Sequence, residues 1–356
     1  MEIRELSRRV AQETLTLGFR YAEGATYGVA NAWEWYVWDW NMGVAFYGLW
    51  KVQAALQDAS MIAGMKQWID ARTENGIRSL NVNTCAPMTS VLQLNLLGAQ
   101  ANYERLLSTF DDYILRQVPH TPCGAIAHTT LASQNLGKVW ADTLFMAVLY
   151  LAKRGMVLQN PLYLAEVTRQ MELHFDHLVD ESTGLLYHGW DDDAKKFIGV
   201  RWGRGNAWVI VSTIEIMEAM QDQFPAGLKK KLLAMLDRQL AALEKLQDAG
   251  GCWHTVLDHP ETYLETSVTA GIAYGVLKGM RLGLVDAKYA GMARRAMAAF
   301  IQNIDGDGSV LKGSGGTPVK ENAGEYNDIP YIVSAFTQGL GLMALSEALR
   351  EQSPSV

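Results

Sequence analysis

One acidic residue in this sequence is placed where chemistry is easiest to imagine: Asp142, in the run Val139-Trp140-Ala141-Asp142-Thr143-Leu144-Phe145-Met146-Ala147. Asp at the start of an apolar helix is also a good N-cap, so a purely structural role competes. Beside Trp140, however, desolvation is expected to raise the carboxyl pKa and keep a proton available for donation. A second segment, Arg201-Trp202-Gly203-Arg204-Gly205-Asn206-Ala207-Trp208, concentrates two Arg, two Gly and two Trp. Here Arg204 is expected to hold a carboxylate through its forked guanidinium, with Trp202 and Trp208 walling the pocket. His188 in Tyr187-His188-Gly189-Trp190-Asp191, His128 after Gly124, and His254 after Gly250-Gly251 occupy matching places in successive segments. That repetition suggests that each segment lends one polar group to a shared site.

Other chemistries have no support in the sequence. H-E-x-x-H, the P-loop, G-x-S-x-G and a complete G-x-G-x-x-G are all absent. Cys85, Cys123 and Cys252 are odd in number, widely spaced and outside any C-x-x-C pattern, so neither a disulfide framework nor a zinc site is suggested. No metal and no cofactor are expected. Asp305-Gly306-Asp307-Gly308 has a calcium-loop look, but Gly316 stands where an EF-hand places Glu, and the segment reads as a turn. A net charge of −7 argues against nucleic acid or an anionic membrane as partner. The charged N-terminus has no signal-peptide core, and no run approaches the roughly 18 apolar residues of a membrane span. A cytoplasmic protein, monomeric or weakly dimeric, is the expectation.

The elements that must position these residues are helices. Hydrophobic residues make up 49% of the chain and charged ones 19%, which is compatible with folding throughout. Apolar residues recur at helical spacing, and no convincing strand pairs stand out. About twelve helices of two alternating kinds can be drawn. Those at 3–21, 60–74, 99–117, 160–177, 225–248 and 285–302 carry one wet face. Those at 42–56, 88–98, 142–154, 205–220, 266–281 and 331–349 are apolar nearly all round and rich in small residues, hence buried and closely packed. Six stacked hairpins of this type predict an all-α (α/α)6 barrel, with residues 1–356 as a single domain. Links from inner to outer helices are short, whereas those from outer to inner are long and gather at one mouth of the ring. They hold Trp33, Trp35, Trp38, Trp40, His120, His128, His188, Trp190, Trp202, Trp253, His254 and His259, an aromatic lining suited to stacking on sugars.

The runs VWADTLFMAVLYLAKRG, LYHGWDDD, RWGRGNAWV, GCWHTVLDHPETYLETSVTAGIAYGVLKG and YNDIPYIVSAFTQGLGLMALSEAL resemble glycoside hydrolase family 105, the unsaturated rhamnogalacturonyl hydrolases, and their relatives in family 88. The resemblance implies an (α/α)6 barrel, a role in pectin degradation, and an oligosaccharide substrate whose non-reducing end is a 4,5-unsaturated uronic acid. It further implies that an Asp protonates C4 of the enol ether, that water adds at C5, and that the hemiketal opens to release the second sugar. On this resemblance Asp142 matches the catalytic acid, Trp202, Arg204 and Trp208 match binding positions, and His128, His188 and Trp40 fit as further substrate ligands. Where the family commonly has a second Asp, the chain reads Asn81-Val82-Asn83-Thr84-Cys85, which makes Asn83 the match. Asn orients water or hydroxyl groups but takes up no proton. Three alternatives stay open: a sugar epimerase or isomerase using His pairs, an inverting glycosidase pairing Asp191 with Asp142, and a non-catalytic oligosaccharide-binding protein.

Overall fold

The computed structural model describes residues 2–20, 33–74, 76–77, 79–98 and 100–352. Tyr21 and Ala99, at the ends of two expected helices, and the side chain of Trp33 lie outside that description. The first half of the chain forms α1 (Ile3–Arg20), α2 (Trp33–Tyr36), α3 (Trp40–Leu56), α4 (Ser60–Thr73), α5 (Met88–Leu97), α6 (Ala101–Asp112), α7 (Leu149–Leu158) and α8 (Pro161–Leu178). The second half forms α9 (Gly203–Met220), α10 (Ala226–Leu246), α11 (Thr266–Arg281), α12 (Ala290–Gln302), α13 (Ala323–Asn327) and α14 (Ala335–Gln352).

Helices α3, α5, α7, α9, α11 and α14 make an inner ring in which each packs on the next and α14 returns to α3. Burial explains their composition. In α9 every residue from Gly203 to Met217 is buried, as is every residue of α14 from Ala335 to Leu349, so no wet face is possible. The outer helices bury only one stripe, as in α10 with Leu232, Leu236, Leu240 and Leu243. Closure depends on backbone proximity: a Cβ on Gly48 would run into the Gly339 carbonyl, and one on Gly339 into that of Val44. The expected (α/α)6 barrel is thus the observed architecture.

Towards the C-terminal halves of the inner helices, the buried carboxylate of Glu215 gathers Lys51, Lys278, Tyr47 and Tyr274. The flanking lysines hold Glu215 well below its usual pKa although burial, the largest influence, opposes them. The functional mouth is at the opposite end, where the long links run.

Those links contain strands that sequence reading did not find. β1 (Lys138–Trp140), β2 (Gly189–Asp191) and β3 (Lys196–Ile198) form one antiparallel sheet, β4 (Trp253–His254) pairs with β5 (Leu264–Glu265), and β6 (Gly313–Ser314) pairs with β7 (Tyr331–Ile332). At two or three residues each they are too short to show alternation. They matter because they lace different hairpins together: Trp140 is opposite Gly189 across β1 and β2, and Trp202 bridges to Val256. The segment Asp305–Gly308 closes a turn through Gly308 N–H to the Asp305 carbonyl at 3.0 Å, as expected.

Candidate active site

At the mouth, a cavity of about 490 Å³ is walled by the start of α3 and by four links, with Trp40, Asn83, His128, Trp140, Asp142, Trp202 and Thr317 among the lining residues. Asp142 is the only carboxylate among the described lining residues. The N-cap role does not apply. Its backbone carbonyl accepts from Phe145 and Met146, but its side chain makes no capping bond, and Thr143 leads into a π-helical turn, Leu144–Val148. Such wide turns interrupt α-helices often at functional sites; here the turn brings Met146 to the cavity wall.

Asp142 Oδ2 and His188 Nε2 are 3.4 Å apart, both buried, and neither meets any other hydrogen-bonding group. Trp140 Nε1 and Trp202 Nε1 are likewise buried and unpartnered. Buried polar atoms in native proteins normally have partners. Two indole N–H groups left open beside an acid that is paired only with a histidine are what a site built to bind polar groups would leave.

The Asp142 pKa runs opposite to the sequence expectation. Burial is the largest influence and pushes it up, but His188, His128 and Arg204 outweigh burial and hold the carboxyl below its usual value. The free site therefore favours the ionised form. His128 stacks face-on against Trp140, with centroids 4.6 Å apart, and bonds Thr143 Oγ1 through Nδ1 at 2.9 Å. Its own pKa is lowered to about 4 by burial, so its ring is neutral at pH 7.

His188 is oriented by a residue that sequence reading passed over. Its Nδ1 is 2.6 Å from the phenol oxygen of Tyr326, which is fully buried. That oxygen accepts the Lys320 N–H at 3.3 Å and is also bonded by the Val200 amide. With its lone pairs so occupied, the phenol donates to His188 Nδ1, and the ring proton belongs on Nε2, facing Asp142. Gly199, at φ +75°, makes room: a Cβ there would be 2.7 Å from the Tyr326 oxygen.

Several expected site residues are elsewhere. Arg204 is fully buried and absent from the cavity wall. Its guanidinium stacks between Trp202 and Phe336 and donates to Ser267 Oγ, Ser314 Oγ at 2.6 Å, the Gly315 carbonyl at 2.8 Å and Thr317 Oγ1 at 2.9 Å. Glu265 Oε1 is 3.7 Å away. The fork expected to hold a substrate carboxylate is thus committed to fixing the 313–317 segment behind the cavity. Trp208 is also fully buried, 5.0 Å from Phe145, as core. Asp191 is no partner for Asp142: it pairs with Lys138 and accepts the amides of Asp193 and Ala194 in the turn after β2. His254 is tied to the Thr262 carbonyl and does not reach the cavity wall. Of the aromatics expected along the cleft, Trp35, Trp38 and Trp253 are buried core, leaving Trp40, Trp140 and Trp202 on the wall.

A toroid of six hairpins with one acid at an aromatic mouth defines a class of glycosidases. Residues 16–352 match the profile of Glycosyl Hydrolase Family 88, and the chain belongs to that family. It is 33% identical over 319 residues to the unsaturated rhamnogalacturonyl hydrolase YesR of Bacillus subtilis, spanning 88% of this chain and 90% of that one. A possible member of the GH105 family from Klebsiella pneumoniae superposes with a TM-score of 0.90 at 34% identity, over 99% of this chain and 93% of the other. The unsaturated glucuronyl hydrolase of Bacillus sp. GL1 shares the fold, with a TM-score of 0.74 at 16% identity over 97% and 96% of the two chains.

Proposed function

We propose that the protein hydrolyses oligosaccharides ending in a 4,5-unsaturated uronic acid, with Asp142 as the acid and a rhamnogalacturonan-derived disaccharide as the preferred substrate. A single carboxylate in a cavity of about 490 Å³ carries this reading. Displacement at a saturated sugar calls for two spaced carboxyl groups, whereas hydration of an enol ether needs one proton delivered to C4. Names of relatives support the substrate class: YesR is an unsaturated rhamnogalacturonyl hydrolase, and a second relative, 29% identical over 222 residues, is an unsaturated 3S-rhamnoglycuronyl hydrolase from Alteromonas.

Substrate entry favours the protonation that the free site disfavours, and Asp142 takes up its proton from solvent water as the substrate binds. A bound uronate displaces water and adds a negative charge beside Asp142, and both effects raise a carboxyl pKa. Asp142 then protonates C4, the charge on C5 is shared with the ring oxygen, and water adds at C5. The water's proton returns to Asp142 while Asn83 orients the attacking oxygen. The hemiketal so formed opens, and the second sugar departs. Trp40 gives the ring a stacking surface, Trp202 backs the cavity as a buried wall held by His188 and Arg204, and His188 Nε2–H bonds the Asp142 carboxylate between proton transfers. We take residues 1–356 as a single catalytic domain, a reading supported by a family match that runs from residue 16 to 352.

Ultraviolet absorbance of lyase-generated disaccharides from rhamnogalacturonan and glycosaminoglycan tests it. Loss of the conjugated-acid band with the wild type but not with Asp142→Asn is the expected result. Persistence of the band with every such substrate, or an Asp142→Asn variant with full activity, would reject the assignment.

A further inference from the structure

We propose that Cys123, His177 and Asp192 form a binding site for one thiophilic divalent cation, zinc above all, on the outer rim of the mouth and apart from the cavity. One ligand atom from each lies within 4.8 Å of the other two. They come from three places: the link between α6 and α7, the last turn of α8, and the turn after β2. A thiolate, an imidazole and a carboxylate are a donor set that suits zinc, with a fourth position left to water. Around tetrahedral zinc, ligand atoms are about 3.3–3.8 Å apart. The three groups need to contract by about 1 Å to reach that spacing, a movement that rotation of the half-buried Cys123 and His177 side chains supplies.

The surroundings prepare each ligand. His177 Nδ1 is 2.8 Å from the Leu173 carbonyl, which can only accept, so the ring proton is on Nδ1 and the Nε2 lone pair is free. A metal-bound histidine is normally fixed by a bond of this kind. Asp192 is fully buried, and its carboxylate is aimed by Cys123 N–H at 2.5 Å and Trp190 Nε1–H at 3.2 Å. Trp190 also packs edge-on against the His177 ring, with centroids 5.6 Å apart. The one side-chain cation on Asp192 is Lys195, 2.6 Å from Oδ1, whose own side chain is 62% exposed. A mobile surface ammonium is readily displaced by a divalent ion, which then compensates the buried carboxylate. The ligands are too far apart in sequence to form any recognised motif.

Such an ion joins α8 and the Cys123 link to the β2–β3 turn. The same sheet, through β1, leads directly into Asp142, and β2 follows His188. The site therefore braces the strands that carry the acid and its histidine without entering the cavity.

Cobalt(II) titration of the full chain, stripped with chelator and kept reduced, provides the test. One equivalent should produce a thiolate-to-cobalt charge-transfer band that zinc abolishes, and zinc should raise the Tm. Cys123→Ser should lose the band, and both Cys123→Ser and His177→Gln should lose the zinc-induced Tm rise. Cys252→Ser should behave as wild type. A wild-type protein without the band, or a band that survives in Cys123→Ser, would overturn the proposal.

Discussion

Removing a single oxygen atom, by Tyr326→Phe, should slow the enzyme without emptying its site. The phenol donates to His188 Nδ1 at 2.6 Å, and both rings are fully buried, so no water can take its place. A buried acceptor left unpaired costs about 1–3 kcal/mol. Once freed, the imidazole can turn away from Asp142 Oδ2, now 3.4 Å from Nε2. If the lost bond weakens the transition state by that same amount, kcat falls about 5- to 150-fold. KM should stay within about twofold, because Tyr326 is absent from the cavity wall. Initial rates from the decay of unsaturated-acid absorbance, measured well below the variant's Tm, separate this effect from partial unfolding. A kcat within twofold of wild type would show that His188 is not oriented through Tyr326.

Three further outcomes follow from the same structure. Asp39 caps α3 through Trp40 N–H at 2.9 Å, and burial raises its pKa from 3.8 to about 6. The fold thus favours its protonated form, and wild-type stability is lost as pH rises from about 4 through 6. Asp39→Asn, an equally good cap, should abolish this loss and add up to about 3 kcal/mol at pH 7, read by denaturant titration; an unchanged pH profile would refute it. Arg204→Lys cannot satisfy Ser314, Gly315 and Thr317 at once and leaves Glu265 poorly compensated. A loss of about 1–3 kcal/mol is expected from the acceptors left unpaired, and an unaltered Tm would contradict it. Gly339→Val should wedge the seam between α14 and α3 open and lower the yield of folded protein, which circular dichroism of the soluble fraction would reveal.

The ring was legible because buried helices leave a plain record, apolar on all sides and repeated six times. The lacing strands were not, since two or three residues carry no period. Asp142 stood out through its neighbours in sequence, but the direction of its pKa depends on His128, His188 and Arg204, which come from before β1, after α8 and within α9. No local reading could combine influences from such distant positions. Arg204 misled for a related reason: an arginine between tryptophans looks the same whether its fork meets a ligand or the protein's own carbonyls. Tyr326 belongs to a link without Trp or His, and only the fold brings it to His188. Asn83 was flagged as a departure, and it is on the cavity wall, whereas Asn81 is spent on Thr84.

The glycine-lined seam between α14 and α3 also governs how the chain can be made. Synthesis delivers α3 well before α14, so the five preceding hairpins form an open crescent with an apolar edge at each end until α14 arrives. Only the final hairpin covers both. Contacts between such distant parts of a chain form slowly, and exposed apolar edges invite pairing with another nascent copy. A chain lacking α14 leaves both edges uncovered and is therefore expected to aggregate rather than to close a smaller ring.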